Sequence, residues 1–163
     1  MLRYVLILST ACLMLPTMAR AEFKQNDWEL TLSGSGTNDK DFRTGDASAD
    51  GTLGYFFTDQ IEATLRQGLT WSDGGSSWSG DTRIAGDYNF DFGRWVPFAG
   101  VNAGYQYGPD FRDQWIAGPE GGLKFFLNAT TFVQINAAYE FSLQHGGFDS
   151  GAFFYGLGLG VRL

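Results

Sequence analysis

The chain has 163 residues, 44% of them hydrophobic, 17% aromatic and only 18% charged, with 23 Gly against 4 Pro and a formal net charge of −7. This length suits one domain; the aromatic content excludes a disordered chain, and the acidic balance excludes a nucleic-acid binder carrying a basic stripe. Beyond the N-terminus no apolar run reaches the ~18 residues of a transmembrane helix, which leaves a Gly- and aromatic-rich chain of short alternating segments.

The first segment reads as an export signal. Arg3 supplies a basic start, Tyr4 to Leu15 an apolar stretch, and Ala19-Arg20-Ala21 a small-x-small cleavage site. Residues 1–21 are therefore expected to be a cleaved signal peptide, and residues 22–163 one barrel domain. Cleavage would remove Arg3 and Arg20, taking the charge to (11 − 2) − 18 = −9. The only cysteine, Cys12, lies within the signal, so no disulfide can staple the mature chain.

The remainder predicts eight strands with period-two alternation. Trp28, Leu30 and Leu32 alternate with Glu29, Thr31 and Ser33. A second strand runs over Ala47–Phe57, a third over Ile61–Trp71, and a fourth over Asp81–Phe90. The fifth covers Pro97–Tyr107, the sixth Glu120–Phe125 and the seventh Val133–Phe141. In the last, Phe153, Tyr155, Leu157, Leu159, Val161 and Leu163 alternate with Gly156, Gly158, Gly160 and Arg162. Short turns centre on Asp59, Gly93 and Asn128, with longer polar connections over 35–45, 72–79, 108–114 and 144–150. The turn-to-turn steps of 34 and 35 residues describe a meander of hairpins, with no stacking-repeat motif.

Alternation does not say which face is inside: a soluble barrel buries its apolar face, whereas an outer-membrane barrel turns that face to lipid. Two features choose the second. Aromatics gather at both strand ends: Trp28, Phe57, Phe90, Phe92, Trp95, Phe125 and Phe126 near the short turns, and Trp71, Trp78, Tyr105, Tyr107, Trp115, Tyr139, Phe141, Phe153 and Tyr155 near the longer connections. Two such belts are interfacial girdles. In addition, Gly156, Gly158 and Gly160 fall on the polar face, which suits a crowded small-barrel interior better than a water-facing strand.

The strings VPFAGVNAGYQYG (96–108), GPEGGLKFFL (118–127) and GAFFYGLGLGVRL (151–163) resemble the small eight-stranded outer-membrane β-barrel superfamily, which includes OmpX-type proteins, opacity-type adhesins and the OmpA membrane domain. The resemblance implies an all-β, antiparallel up-and-down transmembrane barrel integral to the outer membrane. It implies contact with outer-membrane lipids and lipopolysaccharide, and with the barrel-assembly machinery during biogenesis. That machinery would read the terminal strand through Tyr155, Leu157, Leu159, Val161 and Leu163, with Leu163 standing where the family usually has Phe. Members of the superfamily do unlike work, so the fold does not assign a role.

The inward face collects Glu29, Asp50, Glu62, Asp81, Asp87, Glu120 and Glu140 with Arg66, Arg83, Lys124 and Arg162. Side chains fill the interior of an eight-stranded barrel, and charges there must pair or be hydrated; a polar network is expected. Hairpin registers would set Arg66 beside Asp50 and near Asp87, and closure would bring Arg162 near Glu29. Ser142, His145 and Glu140 are the parts of a possible Ser-His-acid lipid A deacylase, but residues three apart on a strand point to opposite faces. No His or Cys spacing suggests a metal. Loop carboxylates such as Asp39, Asp41 and Asp113 could share divalent cations with lipopolysaccharide phosphates, or form a solvated rim.

The expected role is non-enzymatic and cofactor-free: a monomeric envelope barrel with a side-chain-filled polar lumen and loops that contact an unidentified extracellular ligand, with no nucleic acid involved. Trp78, Phe111 and Phe148 are the candidate loop contacts, since aromatics favour contact surfaces. A narrow solute or hydrophobic-ligand passage, and a lipid A-modifying enzyme, are the alternatives.

Overall fold

The computed structural model describes residues 23–38, 45–72, 77–109, 113–144, 148 and 151–163. The expected signal peptide, Phe111 and His145 lie outside the described residues. Eight strands follow in chain order: β1 (Trp28–Asn38), β2 (Gly45–Phe56), β3 (Ile61–Ser72), β4 (Ser77–Asn89), β5 (Trp95–Tyr107), β6 (Gln114–Phe126), β7 (Thr131–Ser142) and β8 (Ala152–Arg162). Each pairs antiparallel with its sequence neighbours, and β8 closes on β1.

The turns form where their side chains favour them. Asn128 Oδ1 accepts from the backbone N–H of Thr130 and Thr131 at 2.9 and 2.8 Å, and Thr58 Oγ1 accepts from that of Ile61 at 2.9 Å. Gly93 takes φ +80°, which a residue with a Cβ rarely adopts, and donates its N–H to Asp91 Oδ1 at 2.7 Å.

Several strands run further toward the long-connection end than the alternation indicated. β1 continues through Asn38 and β4 starts at Ser77, so Trp78 belongs to a strand, directly opposite Trp71. The sixth strand begins at Gln114, because hydrogen-bond pairing persists where hydropathy stops alternating cleanly. Its ladder to β7 skips Gly118 and Pro119; proline has no N–H to donate, and Gly118 lies so close to the Tyr139 carbonyl that a Cβ would collide with it.

Mid-strand aliphatic residues on the outer face are open: Leu32 is 66% exposed, Ile84 63% and Leu157 58%. The inner face holds Glu29, Glu62 and Lys124 at 1–2%. Charges inside and leucines outside are the reverse of a water-soluble barrel, and lipid is the solvent that suits this surface. This is an eight-stranded transmembrane barrel.

The apolar core sits at the short-turn end, where Phe23, Phe56, Val96, Phe126 and Phe132 are buried together. Phe23 comes from the segment before β1 and stacks on Phe56 at a 4.2 Å centroid separation. Asn26, at φ 72°, donates its N–H to the Phe56 carbonyl at 2.8 Å and ties that segment under the barrel. Phe126 is fully buried here and does not belong to the lower girdle where the aromatic count placed it. The cause is parity: Phe126 follows Lys124 by two and shares its inward face.

Candidate functional site: a layered lumen and a vestibule

Alternation sends every second side chain of each strand into the lumen, where the charged ones assemble in layers. Nearest the short turns, Lys124 Nζ donates to Glu29 Oε2 at 2.5 Å and to Glu62 Oε2 at 2.8 Å. Thr31 Oγ1 donates to Glu29 and Asn89 Nδ2 to Glu62. The same ammonium lies 4.9–5.7 Å from the ring centres of Phe23, Phe56, Phe98 and Phe132, within cation–π range.

In the middle layer, Arg66 makes a two-pronged contact with Glu120 at 2.9 and 2.5 Å, with Asp87 at 3.8 Å. Asn102 Nδ2 donates to Glu120 Oε2 at 2.7 Å. In the layer toward the long connections, Arg83 contacts three carboxylates: Asp81 at 2.5 Å, Glu140 at 2.7 Å and Asp50 at 3.1 Å. Here Asp50, Gly68 and Asp81 are consecutive register partners across three strands. Gly68 leaves a space that both carboxylates overhang.

One pairing differs from the sequence expectation. Asp50 pairs with Arg83, not with Arg66, because Arg66 and Arg83 stand opposite each other and their guanidinium groups diverge to separate carboxylates. Closure does bring Arg162 beside Glu29 as its register partner, with Asp27 at 3.7 Å from Arg162 and Lys124 on Glu29. Residues not singled out from the sequence, namely Phe23, Phe56, Phe132, Asn89 and Asn102, complete the lower two layers. Apart from Phe23, which precedes β1, they were findable by parity, since each falls on the inward register of its strand.

Of the candidate loop aromatics, the two described ones, Trp78 and Phe148, fall on the wall. Trp78 packs edge-on against Tyr107 at 6.3 Å. Phe148 lies 5.0 and 5.4 Å from Tyr139 and Phe141, and its carbonyl accepts from the Tyr139 hydroxyl at 2.6 Å. Both extend the upper girdle. Ser142 and Glu140 are buried residues whose parity turns them to the lumen.

Beyond the Arg83 layer the lumen widens into a cavity of about 550 Å³, a vestibule lined by serines, threonines, Gln106, Gln134, Asp50 and Phe154 among others. Its wall is thin on one side. The β1–β8 register runs from Glu29–Arg162 to Gly34–Leu157 and stops, although β1 continues beside β2 and β8 begins five residues earlier beside β7. Phe154 and Tyr155, neighbours on opposite faces of β8, both reach the cavity at this open seam.

No family model and no curated protein sequence matches the chain. Solved structures do match. The N-terminal β-barrel domain of Pseudomonas aeruginosa OprF superposes with a TM-score of 0.62 at 20% identity, covering 85% of this chain and 98% of that one. The outer membrane protein OprG of the same organism gives 0.59 at 14% identity, covering 89% and 99%. A structure described as de novo design of transmembrane β-barrels gives 0.54 at 14% identity, covering 87% and 99%. The fold is that of the small outer-membrane barrels. A designed barrel among the matches underlines that this architecture carries no function by itself.

Proposed function

We propose that the protein is a monomeric, non-enzymatic barrel of the bacterial outer membrane, serving the envelope as a non-conducting structural element whose long-connection end faces the cell exterior. The observation that carries this is the obstruction of the lumen. The Phe23–Phe56–Phe126–Phe132 plug, the Lys124 layer and the Arg66 layer follow one another below the vestibule. Within each charged layer the cation and its carboxylates come from different strands, Lys124, Glu29 and Glu62 in one and Arg66, Asp87 and Glu120 in the other, so opening a path requires parting paired, desolvated charges. The glycine-lined final strand, with Leu157, Leu159 and Leu163 outward, supplies the alternating signature that an assembly machinery would read.

The two described candidate contacts lie on the girdle, which favours the envelope role over loop-borne adhesion. The test is single-channel recording of purified, folded protein in planar bilayers. Absence of steady conductance is expected. A reproducible conductance of the unaltered protein would replace this reading with that of a passage barrel.

A further inference from the structure

We infer that the vestibule is a binding site for a small organic cation bearing an ammonium or guanidinium group. It stands whether or not the barrel conducts.

The charge balance comes first. Asp50, Asp81 and Glu140 converge on one guanidinium, that of Arg83, and with Arg66 counted the charged residues lining the cavity still carry a formal excess of one negative charge. Arg66, at the bottom of the cavity, is itself held by Glu120 and Asp87. Carboxylates held in a recess of low dielectric attract a cation more strongly than the same groups on an open surface.

Hydrogen-bonding capacity points the same way. Buried polar atoms are nearly always partnered, yet Glu140 Oε2 and Gln134 Oε1 have no partner, although the Glu140 side chain is 2% exposed and Gln134 7%. Both residues line the vestibule, and both orphan atoms are acceptors. A wall whose unpartnered atoms are acceptors suits a ligand rich in N–H donors better than a carboxylate or phosphate.

The third observation is aromatic. Phe154 lies on the inward register of β8, opposite buried Ala138, and is still 43% exposed, with its ring presented to the cavity. An exposed ring beside an acidic floor supplies the face that organic cations favour. The volume of about 550 Å³ falls within the range of small-molecule sites. Asp50, Asp81 and Glu140 are kept apart by the guanidinium between them and, among the described residues, form no cluster with metal-ligand geometry. That geometry selects an extended organic cation over a bare metal ion.

The experiment uses the folded barrel in nanodiscs of zwitterionic phosphatidylcholine, titrated with agmatine, glucose and glutarate and followed by NMR chemical shifts and calorimetry. Saturable one-to-one binding of agmatine is expected, weakening with added salt, with no saturation by glucose or glutarate. The double variant Asp50→Asn with Asp81→Asn should weaken agmatine by about tenfold or more, the scale of one lost charge-assisted contact. Phe154→Ser, at the open strand edge, supplies an independent arm should the double variant fail to assemble, and should weaken agmatine by about threefold or more. Absence of saturable agmatine binding would overturn the proposal. So would equal binding of glutarate or glucose, or agmatine affinity unchanged in whichever of these variants assembles.

Discussion

Arg66 and Arg83 are direct register partners on β3 and β4, and both point into the lumen. Like charges placed opposite one another on a sheet are destabilising, and the lumen resolves the conflict by giving each its own acids. Arg66 takes Glu120 and Asp87, while Arg83 takes Asp50, Asp81 and Glu140. The middle layer and the one toward the long connections are the outcome of that separation.

Arg66→Met should therefore be strongly destabilising, by ~3–5 kcal/mol, because it strands two desolvated carboxylates. Adding Glu120→Gln and Asp87→Asn to Arg66→Met should recover most of the loss, since removing a whole buried network is often near neutral. Urea unfolding in lipid vesicles, followed by tryptophan fluorescence, measures both. If the triple variant is no more stable than the single one, the cost lies elsewhere than in unpaired charge.

Leu65 faces lipid at mid-strand, opposite Leu53 and Ile84. Leu65→Arg should cost ~2–4 kcal/mol and impair membrane assembly, whereas Leu127→Arg in a short turn should cost ~0–1 kcal/mol. The readout is the fraction of protein showing heat-modifiable gel mobility. Equal assembly of the two variants would place the outer face in water.

Gly160 sits against the Phe132 ring and Thr31, leaving no room for a side chain. Gly160→Val should lose ~1–3 kcal/mol through overpacking of the short-turn plug. Combining it with Phe132→Leu should return part of that stability by freeing ring volume. Stability unaffected by Gly160→Val would mean the plug is looser than these contacts indicate.

Phe148 anchors the last connection to the outer wall through Tyr139 and Phe141. Phe148→Ser should leave the barrel assembled but release the connection, raising its cleavage rate by a limiting amount of protease about fivefold, the equivalent of ~1 kcal/mol. Tyr139→Phe, which removes only the hydroxyl that donates to the Phe148 carbonyl, should have a smaller effect in the same direction. An unchanged rate in both would show that the connection is held by other contacts.

Much of this architecture was determined by local pattern. A period of two sends Leu30 and Leu32 one way and Glu29 and Thr31 the other, whatever lies across the barrel, because side-chain direction along a strand is a property of the backbone. The turns at Asp59, Gly93 and Asn128 are equally local, set by one side-chain oxygen or one positive φ. Tertiary structure alone decided which charges meet. Lys124 and Glu29 are 95 residues apart and Arg66 and Glu120 are 54 apart, and their contacts cross the lumen between strands that are not neighbours. Hairpin register cannot see across that space, so it paired Arg66 with Asp50. Nor could it show the seam where β1 and β8 part beyond Gly34–Leu157, because that gap depends on how eight tilted strands close, and each strand alone alternates as if it were paired to its end.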